Sequence, residues 1–268
     1  MSKLVRRTVL ALAVASLCVI LPDRADDGYI STGGNPHRMD KPTTVSMQSE
    51  RVDIDIDDNL VTVDCKFVFK NQGEACLVRM GFPDQSTSER ADSKSPRGSF
   101  RSYKSYVDGN EVPTEVVAGG KKKGNEGAWH SKFVDFPAHS VRQVRDVYTD
   151  IEGGFQLPPD GAAHFFSYIL HTASSWNGPI EDGEVRINLK TLTKPPRAVD
   201  GLAVRDPRNY FRSAPAETVL YTGPCKPTVS GKTLVFHFKN LRPKEDSDIS
   251  VLYQYVRNPK ADSSSTRK

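Results

Sequence analysis

Histidine and cysteine are scarce in this chain, and neither falls into a recognisable metal or catalytic spacing. The six histidines stand at 37, 130, 139, 164, 171 and 237, and the four cysteines at 18, 65, 76 and 225. No H-x3-H, H-E-x-x-H or C-x-x-C spacing occurs, so a zinc site has no sequence support and no cofactor is expected. G-x-S-x-G is missing too, and with it the nucleophile elbow of α/β-hydrolases. After Leu21 no apolar run approaches the ~20 residues that a membrane-spanning helix needs. No amphipathic stretch exceeds two helical turns, and no internal repeat is visible. What remains is a turn-rich β protein: 19 Gly and 18 Pro mark many turns, and the hydrophobic share is a modest 37%.

The single long apolar run sits at the N-terminus. Lys3, Arg6 and Arg7 precede an apolar-to-small run from Thr8 to Leu21, and Pro22-Asp23-Arg24-Ala25 leads into polar sequence. That is the three-part plan of a secretory signal peptide, residues 1–25, with Ala13-Val14-Ala15 as an earlier cleavage option. An uncleaved anchor is the rival reading. Lipid attachment at Cys18 is disfavoured by the bulky Leu17 before it. The signal predicts an exported protein, periplasmic or extracellular, with no membrane span in its mature form. Of the 37 basic and 33 acidic residues, four bases and one acid leave with the signal, so the remainder carries 33 against 32, or +1. Such a balance gives no general attraction to nucleic acid. Cys65, Cys76 and Cys225 remain, which allows one bridge at most.

Strand patterning dominates the rest. Val52-Asp53-Ile54-Asp55-Ile56-Asp57 alternates strictly, and Asp57-Asp58-Asn59 turns the chain. Val61, Val63, Cys65, Phe67 and Phe69 then share one face. Asn71-Gln72-Gly73-Glu74 reads as a second hairpin turn, after which Cys76, Val78, Met80 and Phe82 continue the inward face until Pro83 stops the strand. With Gln72-Gly73 at the tip, Cys76 falls near Phe69, so a bridge to Cys65 is not expected. Residues 100–107 and 111–117 form another hairpin around Asp108-Gly109-Asn110. Residues 26–42 read as an extended leader, 194–216 as irregular and 259–268 as a frayed tail. The Gly- and Pro-rich stretch from Gly153 to Gly161 divides residues 43–153 from 154–258. The predicted class is all-β, an antiparallel β-sandwich built from hairpins, as one sandwich or as two packed β units.

Val45-Ser46-Met47, Phe67-Val68-Phe69-Lys70-Asn71 and Met80-Gly81-Phe82-Pro83 together resemble a family of uncharacterised exported bacterial proteins. In that family a strand ending F-x-N is followed by one ending F-P. Trp129, Phe133, Phe136, Val141 and Val147-Tyr148 fit the same pattern, as do Tyr168-Ile169-Leu170-His171-Thr172 and Ser175-Trp176-Asn177-Gly178-Pro179-Ile180. The resemblance covers residues 45 to 190. More distantly, the opening block is similar to the vault/inter-alpha-trypsin-inhibitor domain, a β-sandwich. It implies a fold and a compartment, and it brings no catalytic residues.

Candidate functional residues are few. Trp176, between Ser174-Ser175 and Asn177-Gly178-Pro179, suits either a displayed platform that stacks on a sugar, with Trp129 nearby, or a plug closing one end of the sandwich. Asp53, Asp55 and Asp57 place three carboxylates on one strand face, which is either a calcium site with Asp58 and Asn59 or a solvated face that discourages edge pairing. Lys121-Lys122-Lys123 in a glycine loop suits an anionic polymer, lipid headgroup or phosphate, or simple solvation. The leading functional expectation is a non-enzymatic exported protein that offers a binding or structural surface to an envelope protein or glycan. The alternatives are an envelope hydrolase acting on glycan or ester, with His164, His171 and Asp182 as first candidates, and a carbohydrate-binding module using Trp176.

Overall fold

The structure is a computed structural model that describes residues 31–39, 43–86, 99–118, 128–157 and 161–255. The signal-like run, the Lys121-Lys122-Lys123 loop and the 259–268 tail lie outside these residues. In chain order the strands are β1 (Ser31–Gly34), β2 (His37–Arg38), β3 (Val45–Asp57), β4 (Leu60–Asn71), β5 (Cys76–Ser86), β6 (Ser102–Val107), β7 (Asn110–Val112), β8 (Glu115–Ala118) and β9 (Ala128–Phe136). There follow β10 (Val141–Ile151), β11 (Gly153–Leu157), β12 (Gly161–Ile169), β13 (Ile180–Leu189), β14 (Arg197–Asp200), β15 (Thr218–Thr222), β16 (Thr228–Ser230), β17 (Thr233–Leu241) and β18 (Ile249–Tyr255). One short helix, α1 (Pro207–Phe211), is capped by Asp206, whose side chain accepts from the Asn209 amide.

The strands form two sheets. Sheet I runs β14-β15-β18-β12-β1-β5-β9-β8, with β11 beside β12 and β2 beside β5. Sheet II runs β16-β17-β13-β3-β4-β10-β6-β7. One large core cluster draws on both sheets, from Val52, Cys65 and Phe67 to Met80, Val134 and Tyr168. The fold is therefore all-β and sandwich-like. Where turns demand positive φ, the sequence supplies it: Asp58 and Asn59 lie at φ 43° and 72° between β3 and β4, and Asp108 and Gly109 at 50° and 83° between β6 and β7. Two consecutive left-handed residues make the type I′ geometry that matches the twist of a hairpin.

The second expected hairpin is not there. β4 and β5 belong to different sheets, and the Asn71–Glu74 segment carries the chain across between them. The alternating pattern continued correctly, but an inward face reads the same from either sheet. Asn71 makes the crossing rigid: its side-chain amide donates to the carbonyls of Glu74 (2.7 Å) and Pro137 (3.0 Å), and its carbonyl accepts from Gly73 N and Thr44 Oγ1. This side chain thus ties together the two crossings, 71–75 and 137–140. Cys65 and Cys76 are free thiols. The hairpin over 100–117 ends early as well, because after Pro113 the chain switches sheets and β8 pairs with β9.

Four further expectations are corrected. Gly153 to Gly161 is not a boundary between units: β11 and β12 form a hairpin there, and β13 from the later half pairs in parallel with β3 from the earlier half. Residues 31–38 are not a loose leader, since β1 lies between β12 and β5, parallel to one and antiparallel to the other. Pro83 does not stop β5. It falls between the stretch paired with β2 (Met80–Gly81) and the stretch paired with β1 (Asp84–Ser86), so its missing N–H is not called on from that side. The 194–216 stretch also holds β14 and α1 within its turns.

Glycine lets β1 fit. A Cβ at Gly34 would collide with the Ile169 Cβ and carbonyl oxygen of the neighbouring strand. Gly34→Ala is expected to destabilise the protein by roughly 1–3 kcal/mol, the usual range for overpacking, as measured by urea denaturation. Unchanged stability would show that sheet I does not require this close approach.

Candidate functional site

Trp176 and Trp129 grip the chain's own N-terminal segment. Trp176 is 5% exposed, packs on Phe69 with ring centroids 4.6 Å apart, and donates from its indole nitrogen to the Pro36 carbonyl at 2.8 Å. Trp129 is 3% exposed and lies against the His37 ring at 5.5 Å. Asn177 is exposed, and its backbone amide donates to the Val45 carbonyl. The 170–177 segment holds residues 35–38 through Thr172 Oγ1 to Asn35 O (2.7 Å) and through Ser175 to Arg38. The Trp176 loop is thus a plug at this end of the sandwich.

The acidic strand face is neutralised by its neighbours. Asp55 accepts from Asn188 Nδ2 and Lys190 Nζ, and Asp53 lies 3.7 Å from the Arg186 guanidinium. Asp57 is exposed. Among the described residues no group of three His, Cys, Asp or Glu side chains is arranged to hold a metal. His164, His171 and Asp182 do not converge either. His164 pairs with Glu152 (2.5 Å), His171 with Asp248 (2.8 Å), and Asp182 with Arg51 and with His237 (3.0 Å).

The most polar interior of the molecule lies elsewhere, between β5–β9 of sheet I and β6–β10 of sheet II. On β9 the inward positions run Ala128, His130, Lys132, Val134, Phe136; on β10 they run Val144, Asp146, Tyr148, Asp150. Lys132 and Asp146 form an ion pair at 2.5 Å with side-chain exposures of 1% and 0%. Tyr103 adds its hydroxyl to the same Asp146 oxygen at 2.8 Å. Asp84 accepts from His130 Nε2 (3.0 Å), Ser99 N and Oγ, and Phe100 N. Ser99 also reaches Asp150 at 3.3 Å. Serine and histidine both point at the carboxylate rather than at one another, so this is no nucleophilic triad. The His130 ring lies near-parallel to Tyr103 (4.1 Å) and to Phe100 (5.4 Å), which are themselves 6.1 Å apart, and Phe100 lies on Tyr148 at 4.1 Å.

Three buried groups here lack hydrogen-bond partners: Asp146 Oδ2, Tyr148 Oη and, on β6 opposite Asp146, Ser105 Oγ. Asp146 and Tyr148 hold successive inward positions of β10, about 7 Å apart along the strand. Burial pushes the Tyr148 and Tyr103 hydroxyls well above the ordinary tyrosine range, so both remain neutral donors at physiological pH. Chemically, the free Asp146 oxygen is an acceptor and the neutral tyrosine hydroxyls are donors, and the Phe100 and Tyr103 rings of the same cluster are half-buried. The sequence signal for this cluster is one of position: a lysine and two aspartates occupy inward parity on β9 and β10.

A second polar knot stands below β1. Glu50 is wholly buried; Oε2 takes a hydrogen bond from Asn35 Nδ2 at 3.2 Å, while Oε1 has no partner. Tyr168 donates to Asn35 Oδ1 at 2.8 Å. Burial raises the Glu50 carboxyl from 4.5 to about 7, against the pull of the Asn35 amide.

No protein-family model and no curated protein matches this chain. The fold, however, is shared. A crystal structure of a Legionella pneumophila protein, itself only proposed to bind a nutrient, superposes with a TM-score of 0.63 at 15% identity, covering 84% of this chain and 71% of that one. Two structures of yeast leukotriene A4 hydrolase align over 78% and 79% of this chain but 28% and 29% of theirs. Their TM-scores of 0.38 and 0.33, at 8% and 7% identity, carry no argument.

Two measurements check this interior. Lys132→Met leaves Asp146 buried without its cation and is expected to cost about 3–5 kcal/mol, most of it recovered by adding Asp146→Leu. Equal stability of wild type and single variant in urea would show that the pair is not formed. For Glu50, below pH 4.5 both folded and unfolded chains hold the proton, and its contribution is present in full. As pH rises towards about 7 only the unfolded chain ionises, so stability falls by about 3 kcal/mol across that window. The stability difference between wild type and Glu50→Gln should therefore shrink or reverse with rising pH, and a difference flat in pH would refute the shift.

Proposed function

We propose that this chain is an exported, non-catalytic β-sandwich protein that binds a small donor-rich polar molecule in the periplasm or outside the cell. It belongs, on this reading, with the exported bacterial proteins that residues 45–190 resemble. The observation that carries the binding role is the pair of unpartnered buried atoms, Asp146 Oδ2 and Tyr148 Oη, beside a fully buried ion pair. Leaving such atoms unsatisfied costs roughly 1–3 kcal/mol each, a cost a purely structural core would be expected to shed. The fold shared with the Legionella pneumophila protein supports the same reading, since that protein is also proposed to bind a nutrient. The signal-like N-terminus supports the compartment.

Tyr148→Phe separates structure from binding. Removing a hydroxyl that has no partner is expected to leave the ligand-free protein as stable or raise its Tm, yet to weaken binding about tenfold. The measurement is a thermal-shift screen of sugars, amino acids and polyamines, followed by calorimetry of any hit with both proteins. A ligand bound equally well by Tyr148→Phe and by Asp146→Asn would remove the site. Cell fractionation checks the compartment: the protein should be recovered outside the cytoplasm without its first ~25 residues. Cytoplasmic recovery with the N-terminus intact would overturn export.

A further inference from the structure

Arginine is used in two ways in this molecule. On the strands, each of Arg51, Arg79, Arg142, Arg145 and Arg186 is ion-paired, with Asp182, Glu115, Asp108, Asp64 and Asp53 respectively. Between Lys194 and Arg212 the pattern stops. Arg197, Arg205 and Arg212 are exposed, Arg208 lies over the Phe155 ring at 5.2 Å, and none of the four has a carboxylate partner among the described residues. The two acids of this segment are committed to the backbone: Asp200 caps the turn at Gly201–Ala203 by accepting from Leu202 N (3.0 Å), and Asp206 caps α1 (3.1 Å). Counting Lys194, these 19 residues hold five bases and two acids, +3, where the whole chain carries +4.

An apolar side chain stands in the middle of this charge. Leu202, at the tip of the turn between Arg197 and Arg205, is 68% exposed, more than any other large hydrophobic residue described. The turn and α1 are held on the outer face of sheet I by a small second core of Val204, Phe211, Leu157 and Leu220, so this surface is fixed to the sandwich. We propose that the Lys194–Arg212 surface docks on an anionic lipid bilayer. The arginines meet headgroup phosphates, and Leu202 enters the boundary of the acyl region. The charges alone would suit any polyanion. An exposed leucine among them gains only where an apolar phase lies beneath the anionic layer, which favours lipid.

The test is co-sedimentation of the full chain with phosphatidylcholine vesicles and with vesicles containing phosphatidylglycerol, using wild type, Arg197→Gln/Arg205→Gln/Arg212→Gln and Leu202→Ser. All carry the same N-terminus, so any contribution from the apolar run at Thr8 to Leu21 cancels in the comparison. Circular dichroism melting confirms that these surface variants remain folded. Wild type should prefer the anionic vesicles, and the preference should fall with added salt. Each arginine removed should lower partitioning about fivefold, roughly a hundredfold for the triple variant. Leu202→Ser should weaken vesicle binding while leaving retention on heparin unchanged. The proposal is overturned if the triple variant binds anionic vesicles as wild type does. It is likewise overturned if wild type shows no preference between the vesicles, or if Leu202→Ser lowers heparin and vesicle binding alike, which would mark a soluble polyanion as the partner.

Discussion

Sheet I is continuous only because residues 31–38 lie inside it. Without β1, the β14-β15-β18-β12 half and the β5-β9-β8 half would each present an unpaired edge to the other. Buried backbone groups at such a gap would have no partners, and that is among the most costly arrangements a fold can contain. The strand that fills it has to be narrow on the side facing Ile169, which Gly34 provides. It must also bend where it leaves β12 for the plug. Asn35 serves that bend: its amide donates to Glu50, its side-chain carbonyl accepts from Tyr168, and its backbone is held by Ile169 and Thr172. The two tryptophans then seat Pro36 and His37.

Charge is distributed by the same logic of enclosure. The outer face of sheet II carries acids and bases side by side, and their pairing is close to thermodynamically neutral because water screens each one. Lys132 and Asp146 are different, since one comes from each sheet and water reaches neither. An ion pair in that position is weak evidence for stability, because desolvation consumes much of the Coulombic gain. What it does provide is register. The two sheets cannot slide past one another without separating an ammonium from its carboxylate in a medium of low dielectric.

Much of the fold was legible in the sequence, and the failures share one cause. Alternation located β3, β4 and the first part of β5, because a half-buried strand has to repeat every second residue. Asp58-Asn59 and Asp108-Gly109 were legible as hairpin turns because few residues tolerate left-handed backbone. Asn71-Gln72-Gly73-Glu74 looked alike, yet it crosses between sheets. Local pattern reports which face is inward and not which sheet owns the strand. The leader differs for a related reason: Ser31-Thr32-Gly33-Gly34 lacks apolar residues, which composition alone reads as disorder, whereas at Gly34 the missing side chain is what lets the strand lie against Ile169. At the candidate site the aromatic and acidic residues singled out by type proved to be a plug and a salt-bridged face. The cluster that is polar inside was marked by position, a lysine and aspartates at inward parity.

The placement of β1 also fixes an order of events. Asn35 contacts Leu170, 135 residues further along the chain. Whatever leaves the ribosome or a translocation pore N-terminus first therefore releases this strand before either of its neighbours exists. It can meet β5 once residue 86 has followed, but its other edge stays open until β12, residues 161–169, is out. Glycine, serine and threonine are well suited to that wait, being too polar and too flexible to seed misassembly. A strand made early is thus completed late, and the arrival of β12 beside it is the step that joins the two halves of sheet I.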